Sequence, residues 1–161
     1  MDKPKVYVET SFVSVLTARP SRDVLAAANQ SLNFEWWEIR RAYFDLLISP
    51  AVRAEAQRGN PEAARRRLEL IADLPMLEVD ENALDLQKAL ITRGALPTKA
   101  EIDAFHVAIA AVNGIDYLLT WNCAHIANAI MRPLIEAVCR ENGYQPPIIC
   151  TPSELMGDSD T

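Results

Sequence analysis

The sequence predicts an α/β fold: three layers, α/β/α, around a mainly parallel central sheet. Two observations predict it. Short runs of β-branched, aromatic and aliphatic residues alternate with stretches of helical periodicity along the whole chain, and alternation of this kind yields a parallel sheet covered by helices on both faces. The 161 residues, 50% of them hydrophobic, are also enough for one domain with a sizeable core and argue against disorder. A single domain is expected over residues 1–156, followed by a polar tail over 157–161.

The elements follow in order. KVYV (5–8) is a strand ending at Glu9-Thr10-Ser11. A short helix follows and stops at Arg19-Pro20. Ser21 is placed to cap a long helix on which Leu25, Ala28, Leu32, Trp36, Ile39 and Tyr43 form one apolar stripe. FDLLIS (44–49) is a second strand, and Ser49-Pro50 opens a helix that ends at Gly59. Asn60-Pro61 opens the next, carrying Arg65, Arg66 and Arg67. MLEV (76–79) reads as a strand and 82–93 as a helix closed by Gly94. Thr98 and Glu101 have capping-box spacing, so a helix is expected from Lys99 to Asn113-Gly114. DYLLT (116–120) is a strand. A helical stretch to Gly143, broken or kinked at Pro133, and the strand PPIIC (146–150) complete the pattern.

Composition narrows the function. No apolar run is long enough to cross a bilayer, and the N-terminus lacks the apolar core of a secretory signal, so a cytoplasmic location is expected. Cys123, Cys139 and Cys150 lack zinc-ligand spacing and read as reduced core thiols. The net charge of −6 opposes a general affinity for nucleic acid. Any such function must rest on local basic patches or bound cations.

Carboxylates stand where the chemistry of such folds is found. Ligands of open parallel sheets bind outside the carboxyl ends of the strands, and Glu9 and Asn122 each lie just past a strand end. Asp103 interrupts an otherwise greasy helix, and Glu55 shares nearly the same helix face as Val52. Each also has an ordinary structural role open to it: Asp103 paired with Lys99, Glu55 with Arg58, Glu9 starting a loop. If the acids converge, their repulsion calls for protons or for a divalent cation, and Mg²⁺ or Mn²⁺ takes oxygen ligands.

VYVETS, SPAVRAEAQRG, EIDAFHVAIAA and DYLLTWN, in this order and spacing, resemble the PIN-domain family, and within it the VapC-type toxins of toxin–antitoxin pairs. The resemblance runs from residue 5 to about 155. It implies a PIN-like α/β/α domain that uses Mg²⁺ or Mn²⁺ to hydrolyse RNA phosphodiester bonds by in-line attack of water. Carried over position by position, the acidic quartet falls on Glu9, Glu55, Asp103 and Asn122, with Glu9, Asp103 and Glu55 as metal ligands. Glu9 stands where the family usually has Asp. Asn122 stands where many members have Asp, and its amide contributes no charge. Thr10, Ser11 and Thr120 fall where hydroxyls or backbone hold the acids or the attacking water. The resemblance further implies a homodimer and a cognate antitoxin laid across the site.

Other residues complete the picture. Arg53, Arg58 and His125 are candidate RNA contacts, as are Arg40, Arg41 and Arg65–Arg67, although helix-borne Arg is often solvated surface. His106, three residues after Asp103, reads as a buried hydrogen-bonded side chain; a di-iron site needs two acid-x-x-His motifs and the chain has one. Trp36, Trp37 and Tyr43 read as core, or as a face for a partner. The alternative function is a catalytically weakened PIN-like module that binds protein or RNA. A phosphotransfer or receiver domain ranks below both, because no Asp pair follows the first strand and no Gly-rich loop precedes a helix.

Overall fold

In the computed structural model, which describes residues 2–157, four short strands form one sheet. They are β1 (Lys5–Val8), β2 (Asp45–Leu47), β3 (Tyr117–Leu119) and β4 (Ile148–Cys150), in the spatial order β2-β1-β3-β4 and all parallel. β1 is central. Val6 lies between Leu46 and Tyr117, and Val8 opposite Leu119. Val6, Tyr7 and Val8 are buried on both faces, as a central parallel strand requires.

Helices cover this sheet. α1 (Thr10–Thr17) leaves β1 at once and packs on α2 (Val24–Glu35), α3 (Pro50–Ala56) and α4 (Pro61–Ile71). α5 (Glu81–Thr92) packs on α6 (Glu101–Val112) and α7 (Arg132–Glu141), and α3 also meets α6. Ser49 caps α3 by accepting from the Val52 N–H at 3.4 Å, with Pro50 in the first turn. Asn60 caps α4 in the same way. α6 is buried nearly all round, and Gly114, two residues past its end, has a φ of +67° that a side chain would oppose.

Several elements differ from the sequence expectation, each for a physical reason. Asp23, not Ser21, caps α2, because it directly precedes the first helical residue; Ser21 instead accepts from the Asp23 N–H. The long helix ends at Glu35, and Trp36–Arg40 winds as a π turn followed by a 3₁₀ turn at Arg41–Tyr43. The wider turn shifts the buried face. Trp36 and Trp37 both enter the core against Phe12, while Leu25, Ile39 and Tyr43 of the expected stripe project to the surface. MLEV makes one bridge, Met76 to Ile48, because β2 turns into α3 at Ser49 and leaves nothing further to pair with. A 3₁₀ turn at Thr98–Ala100 displaces the expected capping box, so α6 starts at Glu101. Residues 121–131 form turns rather than helix, and Pro133 sits in the first turn of α7, where its missing N–H costs nothing. The polar tail lies, beyond Gly157, outside the described residues.

Candidate active site

The chain connects β1 to β2 on one side and later returns to place β3 on the other. A crevice at the carboxyl ends of the strands belongs at such a switch point. Glu9 and Thr120 are the first residues past β1 and β3, and the Glu9 N–H still donates to the Leu119 carbonyl at 3.1 Å.

Glu9 is buried, at 4% exposure, and its carboxylate accepts three hydrogen bonds. Oε1 accepts from Ser11 Oγ at 2.6 Å and Thr120 Oγ1 at 2.5 Å, and Oε2 from the Ser11 N–H at 2.8 Å. The last bond also caps α1, whose N-terminal dipole favours the negative charge. Ser11 Oγ accepts in turn from the Trp121 N–H, and Thr120 Oγ1 from the Asn122 N–H. The segment after β3 is thus clipped to the carboxylate that follows β1.

Tyr7 and Glu9 lie two residues apart on extended backbone, hence on one face of the sheet. α3 and α6 supply the groups that meet them. Glu55, half-buried on α3, accepts at Oε1 from Thr10 Oγ1 at 2.7 Å and from His106 Nε2 at 2.5 Å. His106, fully buried on α6, is 2.6 Å from the Tyr7 hydroxyl through Nδ1, and that hydroxyl is 2.7 Å from Ser49 Oγ. Burial pushes the Glu55 carboxyl up, but the bond and charge of His106, the Thr10 hydroxyl and the field of Arg58 outweigh it and hold the group below its ordinary range. Tyr7 is pushed well up by burial and by the charges of Glu9 and Glu55, against its Ser49 bond, and stays protonated.

Ligand atoms of Glu9, Glu55 and His106 lie within 4.8 Å of one another. Two carboxylates and one imidazole at this spacing fit a divalent cation: the donors are right, and the charge of the acids is what such an ion would neutralise.

Asp103 is in the first turn of α6, three residues before His106, and its partner is His125 rather than Lys99. His125 Nδ1 lies 2.9 Å from Asp103 Oδ2, and the His125 N–H donates to Asn122 Oδ1 at 3.2 Å. Asp103, His125 and Asn122 therefore form a second, half-buried group, joined to the first through the Asn122 N–H and Thr120. Arg58 is exposed three residues after Glu55; Arg53 lies two residues before it, turned to the opposite side of α3, and borders a cleft with Leu68 and Met76. The arginine run is engaged in structure. Arg65 pairs with Glu69, Arg66 with Glu62 and the Thr17 carbonyl, and Arg67 donates to the Ala56 and Arg58 carbonyls. Arg40 lies over Tyr43 and Arg41 over Trp37. A cleft lined by Lys3, Lys5, Asp116 and Gln145 lies at the opposite, amino end of the strands and holds none of these groups.

Sequence reasoning missed Tyr7 and Ser49, and placed His106 outside the cluster. The signal for Tyr7 was available: it shares strand parity with Glu9.

No protein-family model and no curated protein matches the chain. Among solved structures, the crystal structure of VapBC2 from Rickettsia felis bound to a DNA fragment from their promoter aligns with a TM-score of 0.59 and 15% identity, covering 91% of this chain and 98% of that one. Tyrosyl-tRNA synthetase from Archaeoglobus fulgidus complexed with L-tyrosine aligns at 0.38 and 15% identity over 92% of this chain and 54% of that one, too low a score to bear on the fold. The first likeness and the all-parallel sheet together give this chain a PIN/VapC-like α/β fold.

Proposed function

We propose that this chain is a divalent-metal-dependent endoribonuclease that hydrolyses RNA phosphodiester bonds, and that it is the toxin of a toxin–antitoxin pair. The convergence of Glu9, Glu55 and His106 at the carboxyl ends of the central strands, in a fold similar to that of VapBC2, carries the reading. Glu9, Glu55 and Asp103 are the proposed ligands of Mg²⁺ or Mn²⁺, with Asn122 beside them. An ion held there would lower the pKa of a bound water and stabilise charge developing on the phosphate. The chain's own groups do the positioning. Ser11 and Thr120 fix Glu9, and Thr10 and His106 fix Glu55. His125 bonds Oδ2 of Asp103, whose carboxylate would join the site from the neighbouring group. Arg58, exposed beside Glu55, is the best-placed phosphate contact, with His125 and Arg53 as further candidates.

The same reading brings a cytoplasmic location, an antitoxin partner and a homodimer. No helix among the described residues is long and apolar enough to cross a membrane. Val24, Leu25, Phe34 and Ile39 stand exposed along α2 and the following turn, which supports a partner face there.

A weakened binding module is the second reading. It is favoured by the three donors on Glu9 and the His125 bond on Asp103 Oδ2, with which an ion would have to compete. One experiment separates the two. The purified protein is incubated with a structured RNA in Mg²⁺ or Mn²⁺, with EDTA as a blank and Asp103→Asn as control. Metal-dependent cleavage that disappears in the variant supports the nuclease. Failure to cleave several RNAs with either ion supports the binding module, and cleavage that persists in Asp103→Asn rejects this active site.

A further inference from the structure

We infer that His106 is itself a metal ligand through Nε2, and that the buried Ser49–Tyr7–His106 chain exists to support the tautomer this requires, so that the site prefers a nitrogen-accepting transition ion such as Mn²⁺ to Mg²⁺. The inference rests on the metal-dependent reading above and deepens it by naming the ion class.

Donor chemistry comes first. His106 Nε2 lies in one cluster with carboxylate oxygens of Glu9 and Glu55, so the preassembled set is one nitrogen and two oxygens. Mg²⁺ demands oxygen and retains its waters. Imidazole suits Fe, Ni, Cu and Zn best; Mn²⁺ stands at the weak end of that series and shares the oxygen ligands of Mg²⁺, but of the two it is the transition ion and the one that accepts a nitrogen. An all-oxygen site would leave selection between the two to supply; a buried imidazole at its centre does not.

The tautomer follows. In the metal-free arrangement Nε2 is bonded to Glu55 Oε1, and where that carboxylate accepts, the ring proton sits on Nε2. A ligating Nε2 must be bare, which moves the ring proton to Nδ1. What faces Nδ1 then decides whether the switch is open. A backbone carbonyl would fix the proton on Nδ1, and a donor-only group would fix it on Nε2. The structure places the Tyr7 hydroxyl there, at 2.6 Å, and behind it Ser49 Oγ at 2.7 Å. Tyr7 donates to a bare Nδ1 in one state. In the other it accepts from Nδ1–H and donates to Ser49, so the same two hydroxyls serve either tautomer. The exchange is proton-neutral, since the ring gains one proton at Nδ1 and loses one from Nε2. Outer groups that hold the second nitrogen of a ligating histidine fix its orientation in metal sites generally. Thr10 remains on Glu55 when His106 turns to the ion, so that carboxylate keeps a donor.

Pulsed EPR on the full chain loaded with Mn²⁺ tests the inference. Wild-type protein is expected to show ¹⁴N coupling from a directly bound imidazole, and His125→Gln to retain it. His106→Gln should lose it. Tyr7→Phe, which removes the hydroxyl without touching the cluster, should weaken Mn²⁺ binding about 10- to 100-fold and Mg²⁺ binding much less. Mn²⁺ bound without ¹⁴N coupling in the wild type overturns the inference and leaves the metal-dependent reading standing. Loss of the coupling in His125→Gln overturns it in favour of the other histidine. No Mn²⁺ binding at all overturns both. If His106→Gln does not fold, the wild-type and His125→Gln spectra decide alone.

Discussion

Glu9 shows how a single acidic side chain is accommodated inside the fold. A buried carboxylate is tolerated only when its oxygens are paired, and here two hydroxyls and an amide do it. Thr120→Val preserves shape and removes one of these donors, so it is expected to lower unfolding free energy by about 1–3 kcal/mol, measured by urea denaturation; Thr120→Ser should recover most of the loss. Glu55 makes a pH prediction. Its folded pKa is below the ordinary 4.5. Its stabilising contribution is therefore fully present above the unfolded value and is lost as pH falls through the folded one. Stability measured from pH 6 downward should drop more gently in Glu55→Gln below about 4.5 than in the wild type; parallel acid limbs would refute the assignment. The thiols separate by burial. Cys139 is pushed up to about 11 and Cys150 to about 12 by burial, while Cys123 is exposed. A thiol reagent at pH 8 should label Cys123 in the native protein and the other two only after unfolding. At this scale the candidate acids were legible in the sequence because each violates its surroundings: Asp103 in a greasy helix, Glu9 at a strand end. Their partners were not. Nothing local to residue 103 points to His125, or to residue 55 points to His106, since both contacts cross between elements.

Elements were legible where a residue's backbone chemistry is local. Ser49-Pro50, Asn60-Pro61 and Gly114 mark helix ends wherever they stand, and the structure places helix ends there. The π turn at Trp36–Arg40 was not legible, because the apolar spacing through residue 43 suits an unbroken helix and only burial of two adjacent tryptophans selects the wider turn. MLEV has strand composition but no partner edge, a fact of tertiary placement. The cap of α3 links this scale to the site. Ser49 closes the first turn of the helix that carries Glu55, and its hydroxyl also meets Tyr7. Ser49→Ala should therefore cost about 1 kcal/mol for the cap plus roughly 1–3 kcal/mol for leaving the buried Tyr7 hydroxyl one partner short. Asp23→Ala, at the exposed cap of α2, loses only the first of these. Equal losses in the two variants would mean that the Ser49–Tyr7 contact contributes nothing.

The whole molecule adds what no element contains. Alternating strands and helices specify a parallel sheet, but periodicity is silent on strand order. It is the order β2-β1-β3-β4 that brings residues 9, 55, 106 and 120 to one crevice. With an ion bound there, as proposed, folding and ion binding would be linked equilibria, because the unfolded chain has no such cluster. A chain already at −6 gathers two carboxylates at the crevice, and a divalent cation is the kind of ligand that would offset their repulsion. At a hundredfold excess over its Kd an ion bound only by the folded state stabilises it by about 2.7 kcal/mol, which for a domain of this size raises Tm by roughly 5–10 °C. Thermal unfolding in Mn²⁺ should therefore lie above that in EDTA, and Glu9→Gln should shrink the gap even though it also changes the metal-free baseline. The baseline shift is read in EDTA and the linkage in the difference, so the two effects separate. A gap that is absent in the wild type, or unchanged in Glu9→Gln, would mean that the crevice is held together by its hydroxyls and histidines alone.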